Sequence, residues 1–381
     1  MEYRTFGKSD WKGSVLGFGA MRLPVLDNKA ANIDEPLARR MMSYAIEHGV
    51  NYVDTAYVYH EGQSELVVGR LLKDGGYRDK VKLATKMPAW LVQSPNDFDR
   101  FLNEQLRKLQ TDNIDCYLLH NMNQISWPKL RDMGVCKWAE KAIADGRISH
   151  LGFSFHDDLP TFKEIVDAYD KWAFCQIQYN YMDIEYQAGT EGLKYAAERG
   201  LAVVVMEPLR GGIITKEPPQ RIKELLAKAP RQRSLAELAL QWVWDQPEVS
   251  IALSGMTAMQ HVEENVACAE RSADNTLSTD ELKVIDQIRK IYKESSPIPC
   301  TKCQYCMPCP NGVNIVRCFE LYNDAVMYHA PLAPRLFYSQ MPEDQWADQC
   351  TECGVCQDLC PQNIKIPEWL KKLHGYLGPR K

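Results

Sequence analysis

Eight short apolar runs recur along the first two-thirds of the chain, and a segment of helical period follows each of them. The runs are centred on Leu16, Val53, Leu83, Leu118, Leu151, Ile177, Val204 and Ala252. The helical patterns cover 34–48, 64–73, 96–109, 136–145, 159–168, 191–199, 235–244 and 259–269. In the first helix Asp34 suits the N-cap, Pro36 the first turn and Gly49 the stop. Eight strands alternating with helices predict an α/β protein of the (β/α)8 TIM-barrel class. A doubly wound sheet is the alternative, but no Gly-x-Gly-x-x-Gly joins an early strand to a helix. The chain has 381 residues, room for a barrel of roughly 250–300 residues and a small second module. A further helix is expected over 279–292, and Ser295-Ser296-Pro297-Ile298-Pro299 reads as a linker. The expected domains are therefore 1–294 and 295–381.

Beyond the linker the composition changes. Nine of the 13 cysteines lie at or after Cys300. Cys350, Cys353, Cys356 and Cys360 follow C-x2-C-x2-C-x3-C with Pro361 next, the bacterial ferredoxin spacing for [4Fe–4S] ligation. Cys300, Cys303, Cys306 and Cys309 form a similar run, one residue shorter before its last cysteine. Thiolates suit soft iron sites, and the fourth cysteine of such a run ordinarily serves the other cluster. Two clusters bridged by helices are expected, with a structural zinc site as the alternative. Cys318 falls outside both runs and reads as a small buried hydrophobe. A disulfide framework fits poorly, because the start, Met1-Glu2-Tyr3-Arg4, carries charge where a secretion signal needs an apolar run.

The net charge of −5 gives little support to a nucleic-acid or anionic-membrane surface. No apolar run approaches the roughly 20 residues of a membrane-spanning helix. A soluble, cytoplasmic protein is expected.

The chemistry concentrates at strand ends. Asn51–Tyr59 begins as a strand, places Asp54 at its end and Tyr59 five residues on. The next two strands end in Lys86 and His120. In a parallel barrel these ends meet on one rim, where active sites are built. A turn-capping Asp and a packed Tyr are the plainer reading of the first stretch alone. Gly17 and Gly19 read either as thinning of a barrel strand or as room for a ligand. Trp90, Met122 and Trp127, in the loops after the second and third of these strands, either line a pocket or pack their own loops.

Asn51–Tyr59 with Lys86 and His120 resembles the aldo/keto reductases. So do Tyr3–Met21, Leu151–Ser154, Gln176–Asn180, Glu207-Pro208-Leu209 and Ser254–Asn265. The resemblance covers about residues 1–292, and the whole chain looks like the branch with a C-terminal iron–sulfur domain. It implies an oxidoreductase that reduces an aldehyde or ketone with NAD(P)H. Tyr59 would protonate the carbonyl oxygen. Lys86 would lower its phenol pKa from about 10. Asp54 would hold Lys86, and His120 would orient the carbonyl. Ser154 and Gln176 match residues that bind the nicotinamide carboxamide. Leu209 and Asn265 belong to the implied cofactor-binding set, and Gly211 with Gly212 forms either a pyrophosphate cradle or a plain turn. Asn180 receives no direct role. Two positions depart from the family pattern. Met206 stands where an aromatic ring commonly stacks on the nicotinamide. Gly255 and His261 stand where NADPH-preferring members often carry Lys and Arg.

The clusters leave alternatives open. They are structural, or they exchange electrons with a ferredoxin-like partner. In a second reading such a partner feeds the clusters single electrons, no nicotinamide takes part, and Tyr59 supplies only protons. Hydride carries two electrons and a cluster passes one, and no flavin fingerprint is present to mediate. A third reading makes the protein a redox sensor or electron carrier with the barrel as scaffold.

Overall fold

The computed structural model describes residues 1–272, 277–300, 304–360 and 362–379. By contacts the chain divides into two compact units, 1–209 with 233–278, and 210–232 with 279–381.

The first unit is the expected barrel. After a short antiparallel hairpin of β1 (Tyr3–Thr5) and β2 (Lys12–Ser14) come β3 (Leu16–Gly19), β4 (Tyr52–Asp54), β5 (Lys82–Pro88) and β6 (Ile114–Met122). They are followed by β7 (Ile148–Phe155), β8 (Phe174–Gln178), β9 (Ala202–Met206) and β10 (Val249–Gly255). These last eight close a parallel barrel in sequence order, with β10 pairing back onto β3. Their near-continuous burial is the pattern of strands covered on both faces. Gly17 decides between its two readings. A Cβ there would come within 2.7 Å of Leu253 and 2.9 Å of Ile251, so the glycine admits the packing of β10.

The hairpin is the element that the alternation does not announce. It carries Phe6 and Trp11, whose rings lie 5.1 Å apart. Phe6 packs on Phe174 and Tyr52, the first residues of β8 and β4, and so closes the N-terminal end of the barrel. The opposite, C-terminal end carries the strand-end residues. Further helices not expected from periodicity include Ser126–Asp132 after β6, and Gln220–Ala227 and Ile366–Leu377 in the second unit.

The second unit contains helices Thr279–Glu294, Ile315–Met327, Leu332–Ser339 and Ile366–Leu377. Its apolar core runs through Ile298, Val313, Phe319, Leu321, Ile366, Leu370 and Leu373. Cys318 is fully buried in that core, as its position outside the runs suggested. The contact-based division falls before helix Thr279–Glu294 rather than after it. The Tyr292 ring of that helix lies 4.6 Å from the Tyr328 ring, tilted by 45°, and the helix also packs on Gln220–Ala227. Among the described residues no helix is long and apolar enough to cross a membrane.

Candidate functional site

Parallel register brings the strand ends together. Asp54, the last residue of β4, pairs with Ala84 of β5, and Lys86 lies one pleat further along the same face. Lys86 Nζ donates to Asp54 Oδ1 at 2.6 Å, to the Thr55 carbonyl at 2.8 Å and to the Tyr59 hydroxyl at 3.3 Å. Asp54 and Lys86 are buried, and Tyr59 is half-buried at the start of a turn. That turn bends sharply, with His60 and Glu61 both at positive φ. His60 anchors it, with Nε2 accepting from the Leu23 amide at 3.1 Å and Nδ1 lying 2.8 Å from the Ala30 carbonyl.

His120 reaches the same rim because β6 is irregular there. The register with β7 shifts between Leu119 and Met122, and Asn121 takes a left-handed conformation with φ of 58°. The Asn121 amide donates to Ser154 Oγ at 2.8 Å, which fixes the bend. The His120 ring stands edge-on to Tyr59 at 6.1 Å between centroids. Trp90, 47% exposed, lies 5.1 Å from the His120 ring, tilted by 55°. Trp127 and Met122 are buried, Trp127 against Trp172. Of the three loop residues, only Trp90 offers an open apolar face beside the site.

Burial sets the electrostatics. It raises the Tyr59 phenol above its ordinary pKa, with Lys86 pulling the other way. The expected lowering by the lysine is present but outweighed. Burial also works against the Lys86 ammonium, but Asp54 and then Tyr59 outweigh it and hold its pKa above the usual lysine value. Burial raises the Asp54 carboxyl, and Lys86 opposes it. His120 is pushed well below the ordinary histidine value by burial, then by the charges of Lys86 and His156. It is therefore neutral at pH 7, and its Nδ1 is buried without a hydrogen-bond partner.

The implied cofactor residues occupy the next strands. Ser154 and Gln176 are adjacent partners on β7 and β8. Ser154 Oγ accepts the Asn121 amide, which leaves its O–H to donate. Gln176 Oε1 is buried with no partner. An orphaned acceptor next to a hydroxyl donor fits a carboxamide, which has one group of each kind. Met206 ends β9 half-buried, with Leu209 half-buried after it. Asn265 Nδ2 donates to Ser254 Oγ at 3.0 Å and so braces the turn after β10. Gly255 and His261 are exposed. Gly211 lies in the second unit, within Arg210–Thr215, with φ of 66°. Asn180 is a structural clasp, since its Oδ1 accepts the Met182 and Asp183 amides.

The cysteines of the second unit sort into two neighbourhoods. Cys300, Cys306 and Cys360 line a small cavity of about 20 Å³ with Val316, Phe319, Ile364 and Ile366. Cys350, Cys309 and Cys353 lie close enough to Cys356 to raise its thiol pKa further, after burial. Sulfur also receives hydrogen bonds: the Glu352 amide lies 3.4 Å from Cys350 Sγ, and Asn311 Nδ2 lies 3.9 Å from Cys353 Sγ. Cys303 lies outside the described residues, as does Pro361. Among the described residues no three of His, Cys, Asp and Glu converge as a single ion requires.

Sequence reading missed the packing behind Lys86. Glu65, Thr85, Gln105 and Tyr117 form a buried hydrogen-bonded group there. A signal was present in helix Asn96–Leu109, where Gln105 interrupts the apolar stripe of Phe98, Phe101, Leu102 and Leu109.

Fold and site together define an oxidoreductase built on a (β/α)8 barrel. The sequence profile of the Aldo/keto reductase family matches residues 15–290, and that of a 4Fe-4S dicluster domain matches 299–364. The chain belongs to the aldo/keto reductase family and ends in an iron–sulfur domain of the 4Fe-4S type. It is similar to the uncharacterized oxidoreductase YrpG of Bacillus subtilis (strain 168), 26% identical over 73% of this chain and 94% of that one. The methylglyoxal reductase YeaE of Escherichia coli (strain K12) is 26% identical over 71% and 92%. The holo form of aldo-keto reductase AKR11C1 from Bacillus halodurans superposes with a TM-score of 0.62 at 29% identity, covering 76% and 96%.

Proposed function

We propose that this protein is a cytoplasmic carbonyl reductase that uses NAD(P)H and carries two [4Fe–4S] clusters. The barrel part, 1–294, performs the reduction, and 295–381 holds the clusters. The observation that carries this reading is the Lys86 ammonium shared between Asp54 at 2.6 Å and the Tyr59 hydroxyl at 3.3 Å. When bound, the nicotinamide supplies hydride to the carbonyl carbon. Tyr59 gives its proton to the carbonyl oxygen as the charge develops there. Lys86, held charged by Asp54, stabilises the phenolate left behind until solvent reprotonates it. Neutral His120 offers one N–H to orient the carbonyl oxygen. Ser154 and Gln176 hold the carboxamide through their donor and acceptor. Trp90 supplies an apolar wall for a small aldehyde or ketone, and methylglyoxal, named for the E. coli relative, is a rational first probe.

In the cluster part, Cys300, Cys303 and Cys306 hold one cluster with Cys360, and Cys350, Cys353 and Cys356 hold the other with Cys309. The two cysteine neighbourhoods support this crossing. The clusters either stabilise the module or pass single electrons to a ferredoxin-like partner.

The test is nicotinamide binding to anaerobically purified, cluster-loaded protein, followed by NADH and NADPH fluorescence. Saturable binding of either supports the reductase. Binding of neither, with clusters intact, overturns it. That result would favour the cluster-fed reaction without nicotinamide, to which Met206, Gly255 and His261 already lean.

A further inference from the structure

Lys86 is braced from two directions by consecutive residues of one helix. Its ammonium has three N–H donors and uses all of them, on Asp54, the Thr55 carbonyl and Tyr59. The Thr55 side chain is itself held. Its Oγ1 lies 2.8 Å from Ser64 Oγ, and Ser64 Oγ donates to the Ala20 carbonyl at 3.1 Å. A serine hydroxyl has one proton. Since Ser64 gives its proton to Ala20, it must accept from Thr55. The donor order is thus Thr55, Ser64, Ala20, which ties β4's exit to the turn leaving β3.

The second brace reaches the Lys86 backbone. Thr85 precedes Lys86 on β5, so its side chain points to the opposite face, toward the helices. Thr85 Oγ1 donates to Glu65 Oε1 at 2.6 Å. Gln105 Nε2 donates to the same oxygen at 2.6 Å and to the Lys86 carbonyl at 3.1 Å. Tyr117 donates to Gln105 Oε1 at 2.7 Å. Ser64 and Glu65 open helix Ser64–Asp74 and both are fully buried. Burying a carboxyl and two hydroxyls here demands a partner for each polar atom, and Glu65 Oε2 has no hydrogen bond among the described residues, only the Lys108 ammonium at 3.7 Å. An apolar filler would pack the same space without that demand.

We propose that Ser64 and Glu65 are positioning residues for Lys86. The first fixes the carbonyl that receives the ammonium, and the second fixes the strand that carries it. This rests on Lys86 acting through Tyr59 as described above. A displaced ammonium would oppose the burial of the Tyr59 phenol less well, so the phenol would titrate higher. A small misplacement of a reacting group is enough to slow a reaction severely.

The experiment compares wild type with Ser64→Ala, Thr55→Val, the double variant and Thr55→Ser. Two readouts are taken: Tyr59 titration by NMR of 13Cζ-labelled tyrosine, assigned with Tyr59→Phe, and methylglyoxal reduction with NAD(P)H. Ser64→Ala is expected to move the Tyr59 midpoint up by up to about one unit. It should lower kcat about ten- to a hundredfold with nucleotide affinity unchanged. The double variant should lose no more than Thr55→Val alone, because the two act in one chain, and Thr55→Ser should behave as wild type. An unchanged Tyr59 midpoint in Ser64→Ala overturns the proposal. So does additive loss in the double variant. If Ser64→Ala does not fold, Thr55→Val carries the same midpoint test. The titration needs no nucleotide, so a wild type that binds no nicotinamide sinks the reductase reading while the bracing is still judged.

Discussion

Tyr59 is the residue on which the proposed chemistry turns, and it sits where two opposing effects meet. Burial keeps its proton on, and the Lys86 ammonium eases its release. Tyr59→Phe should lower carbonyl reduction about 10²- to 10⁴-fold. Nucleotide binding and iron content should stay as in wild type, and steady-state kinetics with iron and sulfide analysis check this. His120 carries a pH prediction. Its folded pKa lies well below the ordinary value. As pH falls below about 6.5, the unfolded chain takes up a proton there that the folded protein resists. Stability from this group is complete above about pH 6.5 and is lost as pH falls toward the depressed folded value. His120→Asn should therefore flatten the fall of Tm on the acid side, as measured by calorimetry between pH 7 and 5. Asp54, Lys86 and His120 were legible in the sequence because each lies at, or two residues before, the C-terminal end of a strand. His156, whose charge helps keep His120 neutral, was not, because it lies beyond the end of β7 with no pattern to mark it. The net direction of the Tyr59 shift was also not legible. It depends on how much protein surrounds the phenol, which no motif records.

At the scale of elements, the eight barrel strands were readable because each is buried on both faces and separated by a helical period. Bulges and plugs are written differently. The bend that aims His120 depends on a left-handed Asn121, and asparagine tolerates that conformation anywhere. The β1–β2 hairpin is two strands of three residues each, too short for a period to show. Its contribution lies in Phe6, fully buried against the first residues of β4, β8 and β9. Phe6→Ala should cost about 3–5 kcal/mol. Urea unfolding followed by fluorescence would register it, and the proposed active site at the other rim should keep its nucleotide affinity. The buried group behind Lys86 makes a contrasting element. Gln105→Leu leaves Glu65, Thr85 and the Lys86 carbonyl short of a donor, at about 1–3 kcal/mol. If the bracing is real, that variant also loses kcat, whereas Phe6→Ala does not.

For the whole molecule, the question is how one chain would assign nine late cysteines among the two proposed clusters and a core. Spacing alone left Cys309 uncertain, because its run is one residue short. The fold adds two observations that support the proposed assignment. Cys309 is among the neighbours that raise the Cys356 thiol, while Cys360 shares an apolar cavity with Cys300 and Cys306. Cys318 is fully buried between Ile315 and Phe319 in the apolar core, its sulfur 3.8 Å from the Gln345 carbonyl. Burial pushes its thiol up to about 12, so it stays protonated and is a poor iron ligand at neutral pH. Cys309→Ser and Cys318→Ser therefore separate the roles. In anaerobically prepared protein, Cys309→Ser should lose about half of the iron and sulfide, since each proposed cluster holds the same complement. Cys318→Ser should keep all of it and show only a modest fall in Tm. Equal iron in both variants would remove Cys309 from the ligand set. Loss of all iron in Cys309→Ser would mean that the second cluster cannot form without the first. The proposed crossing of each run's fourth cysteine makes that coupling physically reasonable, because each cluster would then pin the segment that supplies a ligand to the other.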